Sequence, residues 1–274
     1  MDKYAVIGHP VAHSRSPQIH EAFARATGQQ LTYERLLAPL DGFRETVDAF
    51  VRSGGKGLNV TVPFKLQAFA LAVDHSPRAK LSGAVNTLKR TGDGWYGDNT
   101  DGPGLVRDVT HNLGVAMAGR DILVLGAGGA SRGIMSSVLA ERPRSLTISN
   151  RTFAKAVVIA ELFAPHGVIA AVPTEALAGR SFDIVINATS AGLSDKAPPP
   201  WSPSIVASGA FAYDMIYGDA PTAFLTWAQA HGAARTADGL GMLIEQAAES
   251  FFIWRGVRPE TASAFPLLRP TGRG

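Results

Sequence analysis

After the apolar run Ile122-Leu123-Val124-Leu125 the chain reads Gly126-Ala127-Gly128-Gly129-Ala130-Ser131-Arg132-Gly133 and then turns helical in its periodicity. A strand that ends in glycine and alanine and restarts as a helix makes the turn of a βαβ unit. The missing side chains let backbone approach a pyrophosphate, and the helix N-terminus offers free N–H groups. The spacing follows G-x-G-x-x-G except that Ser131 takes the third glycine position. A tight turn with no ligand would have the same composition. Residues 129–133 also fit the G-x-S-x-G of a hydrolase nucleophile elbow, with Asp214 and His231 following in triad order. Small residues throughout 126–131 suit phosphate contact better than an elbow.

About 20 residues beyond the glycines, an NAD site carries an acidic side chain for the ribose 2′-hydroxyl. Here the place is held by Asn150-Arg151-Thr152, with Lys155 one helical turn further on. A carboxylate would repel a 2′-phosphate, whereas Arg and Lys would hold one, so NADP is favoured. A solvated helix start would explain two cations as well.

The rest of the pattern repeats short strands and amphipathic helices. Strands are predicted at 3–7, 32–38, 57–60, 84–90, 95–98, 121–125, 146–149, 168–172, 184–186 and 210–213. Helices are predicted at 17–27, from Asp41 to the Gly54-Gly55 stop, and at about 103–113, 130–141 and 152–163. A stripe of Leu240, Leu243, Ile244, Ala247, Phe251 and Trp254 marks a final helix, and Pro198-Pro199-Pro200 marks a loop. This order implies an α/β fold with largely parallel sheets. With 274 residues and 46% hydrophobic side chains, two cores are expected, since single cores stop growing near ~250 residues. The boundary is placed near residue 101.

Composition removes whole classes of function. A formal charge of +3 without a Lys/Arg run gives no support for nucleic-acid or membrane-surface binding. Zero cysteines exclude disulfides, thiolate metal sites and a cysteine nucleophile. The N-terminus reads as a strand rather than a signal peptide, and no apolar run reaches the ~20 residues of a membrane span. A cytoplasmic enzyme is the expectation. No metal site is expected: Pro10 breaks any helix that would align His9 with His13, and Thr100 and Val109 spoil the calcium-loop pattern begun by Asp98.

Three polar clusters of the first half resist a surface explanation. Ser14-Arg15-Ser16-Pro17 opens a helix, where Ser16 reads as an N-cap and Ser14 has no such role. Asn59-Val60-Thr61-Val62-Pro63-Phe64-Lys65 carries polar groups past the C-terminal end of a strand, where open α/β sheets gather ligands. The third cluster joins Gly83-Ala84-Val85-Asn86-Thr87 to Asp98-Asn99-Thr100-Asp101-Gly102, with Asp101 also readable as a helix cap.

With these motifs in their order, the sequence resembles the shikimate dehydrogenase family over essentially its whole length. Ser14–Pro17, the 59–65 stretch, 83–87 and 99–102 are similar to its substrate motifs. The glycine loop, Asn150-Arg151-Thr152 and Asn187-Ala188-Thr189-Ser190-Ala191-Gly192 are similar to its cofactor motifs. Tyr213-Asp214-Met215-Ile216-Tyr217, Asp238-Gly239-Leu240-Gly241-Met242-Leu243 and Gln246-Ala247-Ala248 complete the pattern. The resemblance implies an N-terminal α/β substrate domain over 1–101, joined by 238–274, and a Rossmann-like NADP domain over 102–237, with the active site in the cleft between them. It implies Lys65 and Asp101 as the catalytic pair, and Ser14, Ser16 and Tyr217 on the substrate carboxylate. Asn59, Thr61, Asn86, Asp101 and Gln246 would hold ring oxygens. NADP would lie on Gly126, Ala127, Gly128, Gly129, Ala130, Asn150, Arg151, Thr152, Lys155, Thr189, Met215 and Gly239. Pro77 stands where some relatives carry an acidic residue.

The activity so implied is reversible reduction of 3-dehydroshikimate by NADPH, in a monomer or homodimer acting on a small molecule. The alternatives are a relative that also oxidises quinate or uses NAD, and a ligand sensor without turnover.

Overall fold

The computed structural model describes residues 1–92, 94–189 and 201–269. The chain forms two compact units, Met1–Gly104 with Ile244–Gly274, and Leu105–Leu243.

The first unit runs β1 (Asp2–Gly8), α1 (Ser16–Ala26), β2 (Leu31–Leu37), α2 (Phe43–Arg52), β3 (Gly55–Val60), α3 (Lys65–Leu71), β4 (Asp74–His75), α4 (Pro77–Ser82), β5 (Thr87–Thr91) and β6 (Gly94–Asp98). Its sheet has the order β2-β1-β3-β5-β6-β4. β2, β1 and β3 pair in parallel, whereas β5 pairs antiparallel with both β3 and β6. The sheet is therefore mixed, because β5 and β6 are a hairpin and need no helical crossover.

Side-chain alternation along β1 serves two faces. Ala5 and Ile7 join Leu58, Val60, Phe64 and the α2 residues Phe43, Val47 and Phe50. Tyr4 and Val6 join Tyr33 and Trp254 on the other face.

The second unit begins within α5 (Asp101–Arg107) and continues as a π-helical turn, Asp108–Asn112. β7 (Asp121–Leu125), α6 (Gly129–Ala140), β8 (Ser145–Ser149), α7 (Phe153–Phe163), β9 (Ile169–Ala171), β10 (Phe182–Asn187), β11 (Val206–Asp214), α8 (Ala223–Ala230) and β12 (Arg235–Asp238) follow. The sheet order is β12-β11-β10-β7-β8-β9, with every pairing parallel. That is the doubly wound dinucleotide-binding order, whose direction reverses between β7 and β10. Burial on both faces explains why Ile122, Leu123 and Val124 run without a polar break, all at zero exposure. The chain closes with α9 (Leu240–Arg255) and α10 (Phe265–Leu268).

Several elements differ from the sequence expectation. Gly55 opens β3 instead of ending α2, which stops at Arg52 and turns at Gly54 with φ +95°. Residues 84–86 lie outside β5. Elements α3, α4, β4 and β12 span 7, 6, 2 and 4 residues, too short to show a period, and α8 was not anticipated either. Asp93 of the expected 92–94 turn, Ser190-Ala191-Gly192 and Pro198-Pro199-Pro200 lie outside the described residues.

α9 seats its last turn on the first sheet through Trp254. The indole stacks on Tyr4 at 4.7 Å and donates from Nε1 to the Leu88 carbonyl at 3.0 Å. A Cβ on Gly57 would lie 2.5 Å from that Nε1, so the strand must be bare there. Gly57→Ala is expected to lower stability by roughly 1–3 kcal/mol through overpacking, read as a shifted urea midpoint at constant slope.

Candidate functional site

In the first unit the polar clusters converge on one carboxylate. Lys65 opens α3 and Asp101 opens α5. Lys65 Nζ donates to Asp101 Oδ2 at 2.5 Å, and Asn86 Nδ2 donates to Asp101 Oδ1 at 2.8 Å. The lysine and aspartate side chains keep 25% and 11% of their exposure, enough for a small molecule to reach the ammonium. Asp101 is thus no helix cap. Its carboxylate is committed to Lys65 and Asn86, while its own N–H donates to Asn99 Oδ1 at 3.2 Å.

Asn86 cannot turn its amide. Oδ1 accepts from the Thr100 N–H at 2.8 Å, Thr100 Oγ1 at 3.1 Å and Thr87 Oγ1 at 3.0 Å, which leaves Nδ2 aimed at the carboxylate. Gln246 of α9 joins through Oε1, which lies 3.4 Å from Thr100 Oγ1 and accepts from Asn86 Nδ2 at 3.5 Å. Thr61 owes its place to Gly8, where a Cβ would fall 2.4 Å from its methyl group.

The serines are arranged otherwise than expected. The cap position of α1 is Arg15, and Ser16 is the buried first residue of the helix, so Ser16 is not the N-cap. Ser14 Oγ donates to Ser16 Oγ at 3.1 Å and accepts from the Ser16 N–H at 3.3 Å. Pro77, without a role in the sequence, starts α4 behind the Ser76 cap, whose Oγ accepts from the Ala79 N–H at 3.1 Å. The next residue, Arg78, grips Asp98 through two bonds at 2.7 and 2.9 Å and Glu249 at 2.9 Å, which fixes the turn leading to Asp101. Nothing in the periodicity singles out Arg78.

Asn59 stands apart from the other expected ring contacts. It is buried, and its Oδ1 accepts from Tyr33 Oη at 2.7 Å and from His20 Nε2 at 3.1 Å, while Nδ2 donates to Ser250 Oγ at 2.9 Å. His20 is buried among the rings of Phe23, Tyr33, Phe251 and Trp254. Desolvation lowers its pKa to about 3. His20 and Tyr33 sit at ordinary apolar positions of α1 and β2, which hid them from sequence reasoning.

In the second unit, the expected cofactor residues sit at the carboxyl ends of the parallel strands. Gly126 follows β7 with φ +105°, and a Cβ there would lie 3.0 Å from the Ala188 carbonyl beyond β10. The two loops therefore meet where strand order reverses. Asn150 Oδ1 accepts from the Ala127 N–H at 3.1 Å and its Nδ2 donates to the Thr152 carbonyl at 2.9 Å, which ties the glycine loop to the end of β8. Thr189 Oγ1 donates to Asn187 Oδ1 at 2.8 Å, and the Met215 N–H donates to the Asn187 carbonyl at 2.9 Å. A Cβ on Gly239 would sit 2.2 Å from the Met215 carbonyl oxygen. Tyr217 lies just beyond β11, half-buried.

The loop fits a dinucleotide by a direct test. Gly128, Gly129 and Ala130 are exposed at the N-terminus of the 12-residue α6, and Cβ atoms on the two glycines would meet nothing within 4 Å. Packing does not demand those glycines, so the bare space is left for a ligand. Arg151 and Lys155 are exposed, with no side-chain partner among the described residues.

The elbow reading fails here. Ser131 is fully buried and its Oγ has no hydrogen-bond partner among the described residues. Asp214 is occupied by Thr222 at 2.5 Å and Asn187 at 3.1 Å, its pKa raised by burial, while His231 Nδ1 bonds the Trp227 carbonyl. A serine without a base is no nucleophile.

Residues 6–88 match the family model for the shikimate dehydrogenase substrate binding domain, 108–194 that for shikimate / quinate 5-dehydrogenase, and 239–263 that for the shikimate 5'-dehydrogenase C-terminal domain. A shikimate dehydrogenase (NADP(+)) of Alkalilimnicola ehrlichii is 56% identical over 98% of this chain and 99% of its own. Among solved structures, an Ael1 enzyme from Pseudomonas putida is 47% identical with TM-score 0.93, covering 98% of each chain. Shikimate 5-dehydrogenase from Thermus thermophilus, solved with NADP(H) and shikimate, is 34% identical with TM-score 0.85, covering 96% of each.

Across the site, the buried neutral His20 sets an acid limit on stability. Its folded pKa of about 3 lies below the ordinary histidine value of 6.5, so between those values the unfolded chain binds the extra proton. Its stabilising contribution is whole above pH 6.5 and falls as pH drops, at about 1.4 kcal/mol per pH unit. Between pH 7 and 5 the protein is expected to lose about 2 kcal/mol more unfolding free energy than His20→Gln, measured by urea titration. Parallel losses would remove His20 as the cause.

Proposed function

The chain belongs to the shikimate dehydrogenase family, and on that premise we propose that it catalyses the reversible NADPH-dependent reduction of 3-dehydroshikimate to shikimate. The observation that carries the reading is the Lys65–Asp101 pair, braced by an Asn86 that cannot rotate. NADP, when bound, supplies or accepts the hydride. The protein must then handle a proton at the same carbon's oxygen, which gains negative charge as the ketone is reduced. Lys65 gives that proton from its ammonium and takes it back in the reverse direction. Asp101 keeps the amine oriented and compensates its charge.

Ser14, Ser16 and Tyr217 are assigned to the substrate carboxylate, and Thr61, Asn86, Asp101 and Gln246 to the ring hydroxyls. Fixed amides and hydroxyls of this kind reject analogues that lack a hydroxyl, since the protein's own polar atoms would be left unpaired. Asn59, whose amide is engaged on both sides within the protein, is assigned to bracing these groups. Gly126, Ala127, Gly128, Gly129 and Ala130 would cradle the pyrophosphate, with Thr189, Met215 and Gly239 closing the same end of the sheet. Asn150, Arg151, Thr152 and Lys155 would surround the 2′-phosphate. The same reading makes the protein a cytoplasmic monomer or homodimer. The shikimate / quinate description of the matched family keeps quinate as a second substrate, and side-by-side rates with the two acids decide it.

Lys65→Ala is expected to lower kcat by about 10²–10⁴-fold with a far smaller change in KM for shikimate, read by nicotinamide absorbance. Near-normal turnover would refute the assignment, whereas a wild-type protein that turns over neither acid would favour a ligand sensor. Arg151→Ala should weaken NADPH by about 1–3 kcal/mol and leave NADH nearly unchanged. Equal losses for the two cofactors would contradict the 2′-phosphate contact.

A further inference from the structure

One cation of the first unit stands at the serine motif and has no part in the assigned roles. The turn after β1 packs Val11 with Tyr4, Val6, Tyr33 and Trp254, and the Ser14 N–H closes it on the Val11 carbonyl at 3.0 Å. Arg35 of β2 pairs with Val6 of β1 and lies two residues beyond Tyr33, so its side chain leaves the same face of the sheet. It reaches the Ser14 carbonyl with two donors, Nε at 2.9 Å and Nη2 at 2.6 Å. Arg35 is exposed and has no carboxylate partner among the described residues. The neighbouring cations are committed elsewhere. Arg15 donates to the Leu268 carbonyl at 2.6 Å, and Lys65 is held by Asp101.

Two serine hydroxyls are neutral, and an anion leaving water needs charge as well as hydrogen bonds. The Ser14 carbonyl oxygen is itself a negative pole, in the same residue as a hydroxyl assigned to the carboxylate. Left bare, it would repel that anion; covered by a guanidinium, the motif turns positive. We propose that Arg35 is a specificity-determining positioning residue, which through the Ser14 carbonyl sets a positive potential at the two serine hydroxyls and so favours an acid over its uncharged counterpart. The recognition is of charge rather than shape. An ester also accepts hydrogen bonds from serines, but gives Arg35 no charge to attract. Since Arg35 is exposed, water and salt screen its field, and its effect is modest and salt-dependent. A charged side chain on an edge strand such as β2 is commonplace and needs no partner. This one is bent back onto a single carbonyl by two bonds, and that carbonyl belongs to the serine motif.

The inference rests on the assignment of Ser14 and Ser16 to the carboxylate, and the test separates the two. KM for shikimate, and Ki for its methyl ester as a competitor, are measured for the wild type, Arg35→Gln, Arg35→Lys and Ser14→Ala. Gln keeps an N–H for the Ser14 carbonyl and loses the charge; Lys keeps the charge and loses the fork. Arg35→Gln is expected to raise KM for shikimate about three- to fivefold, the size of a partly screened charge pair, with kcat and KM for NADP unchanged. Ki for the ester should not move, Arg35→Lys should stay within about twofold of the wild type, and the Arg35→Gln loss should shrink toward none at about 0.5 M KCl. An equal rise for acid and ester marks a structural effect and overturns the inference. So does a rise that salt leaves intact, or an unchanged KM in Arg35→Gln. Where Ser14→Ala raises KM and Arg35→Gln does not, the carboxylate assignment stands and the inference alone falls. A wild-type protein that holds ester and acid equally overturns both. Should Arg35→Gln not fold, Arg35→Lys decides, because a rise in KM for the acid with the charge still present overturns the proposal.

Discussion

The side-chain amide of Asn86 is 3% exposed, and a buried amide must satisfy both of its ends. Three donors from Thr87 and Thr100 fall on its oxygen, so its nitrogen is turned toward Asp101, with Gln246 Oε1 as a longer second acceptor. That single constraint fixes the carboxylate, and the carboxylate fixes the ammonium of Lys65. The threonines are held in turn by Ser250 of α9, whose Oγ lies 2.7 Å from Thr87 and 3.2 Å from Thr100. A helix far along the chain thus completes a site begun by the hairpin of β5 and β6. Rigidity of this kind suits a reaction in which a proton donor must stand ready at a set oxygen.

The second unit solves its problem with backbone rather than side chains. Parallel strands end together, so the turns after β7, β10, β11 and β12 crowd one edge, and the bare positions Gly126 and Gly239 let neighbouring turns pass closely. Gly128 and Gly129 differ, since no protein atom occupies the space their side chains would fill. Helix α6 presents its N-terminal N–H groups there. Asn150 both braces the glycine loop and precedes the exposed Arg151, so one short turn joins loop geometry to the choice of nucleotide.

Charge is distributed according to how much each group must do. Arg144 pairs with Asp121 and Asp183 on the surface of the second unit, where solvent leaves such pairs little influence. Arg78, Asp98, Glu249 and Arg258 form a half-buried chain in the first unit. There the neighbouring guanidiniums hold the Glu249 carboxyl below its ordinary pKa despite the opposing effect of burial. These groups set the backbone turn before Asp101 and clamp the segment after α9 to the same unit.

The sequence by itself determined the architecture of the second unit, because fully buried parallel strands are written as unbroken apolar runs and a phosphate turn as glycine. It also determined the motifs at Ser14, Lys65, Asn86 and Asp101, since clustered polar residues at strand ends have few structural uses. It misjudged Ser16 as a cap and missed α3, α4, α8 and β12, where short elements carry no measurable period. Only the tertiary structure decided that Asn59 turns inward, that Arg78 grips Asp98, and that His20 and Tyr33 share one oxygen. Each of these depends on which buried donor meets which acceptor across tens or hundreds of residues of chain. Hydrophobic periodicity reports which face of an element is buried, but not what polar atom waits there.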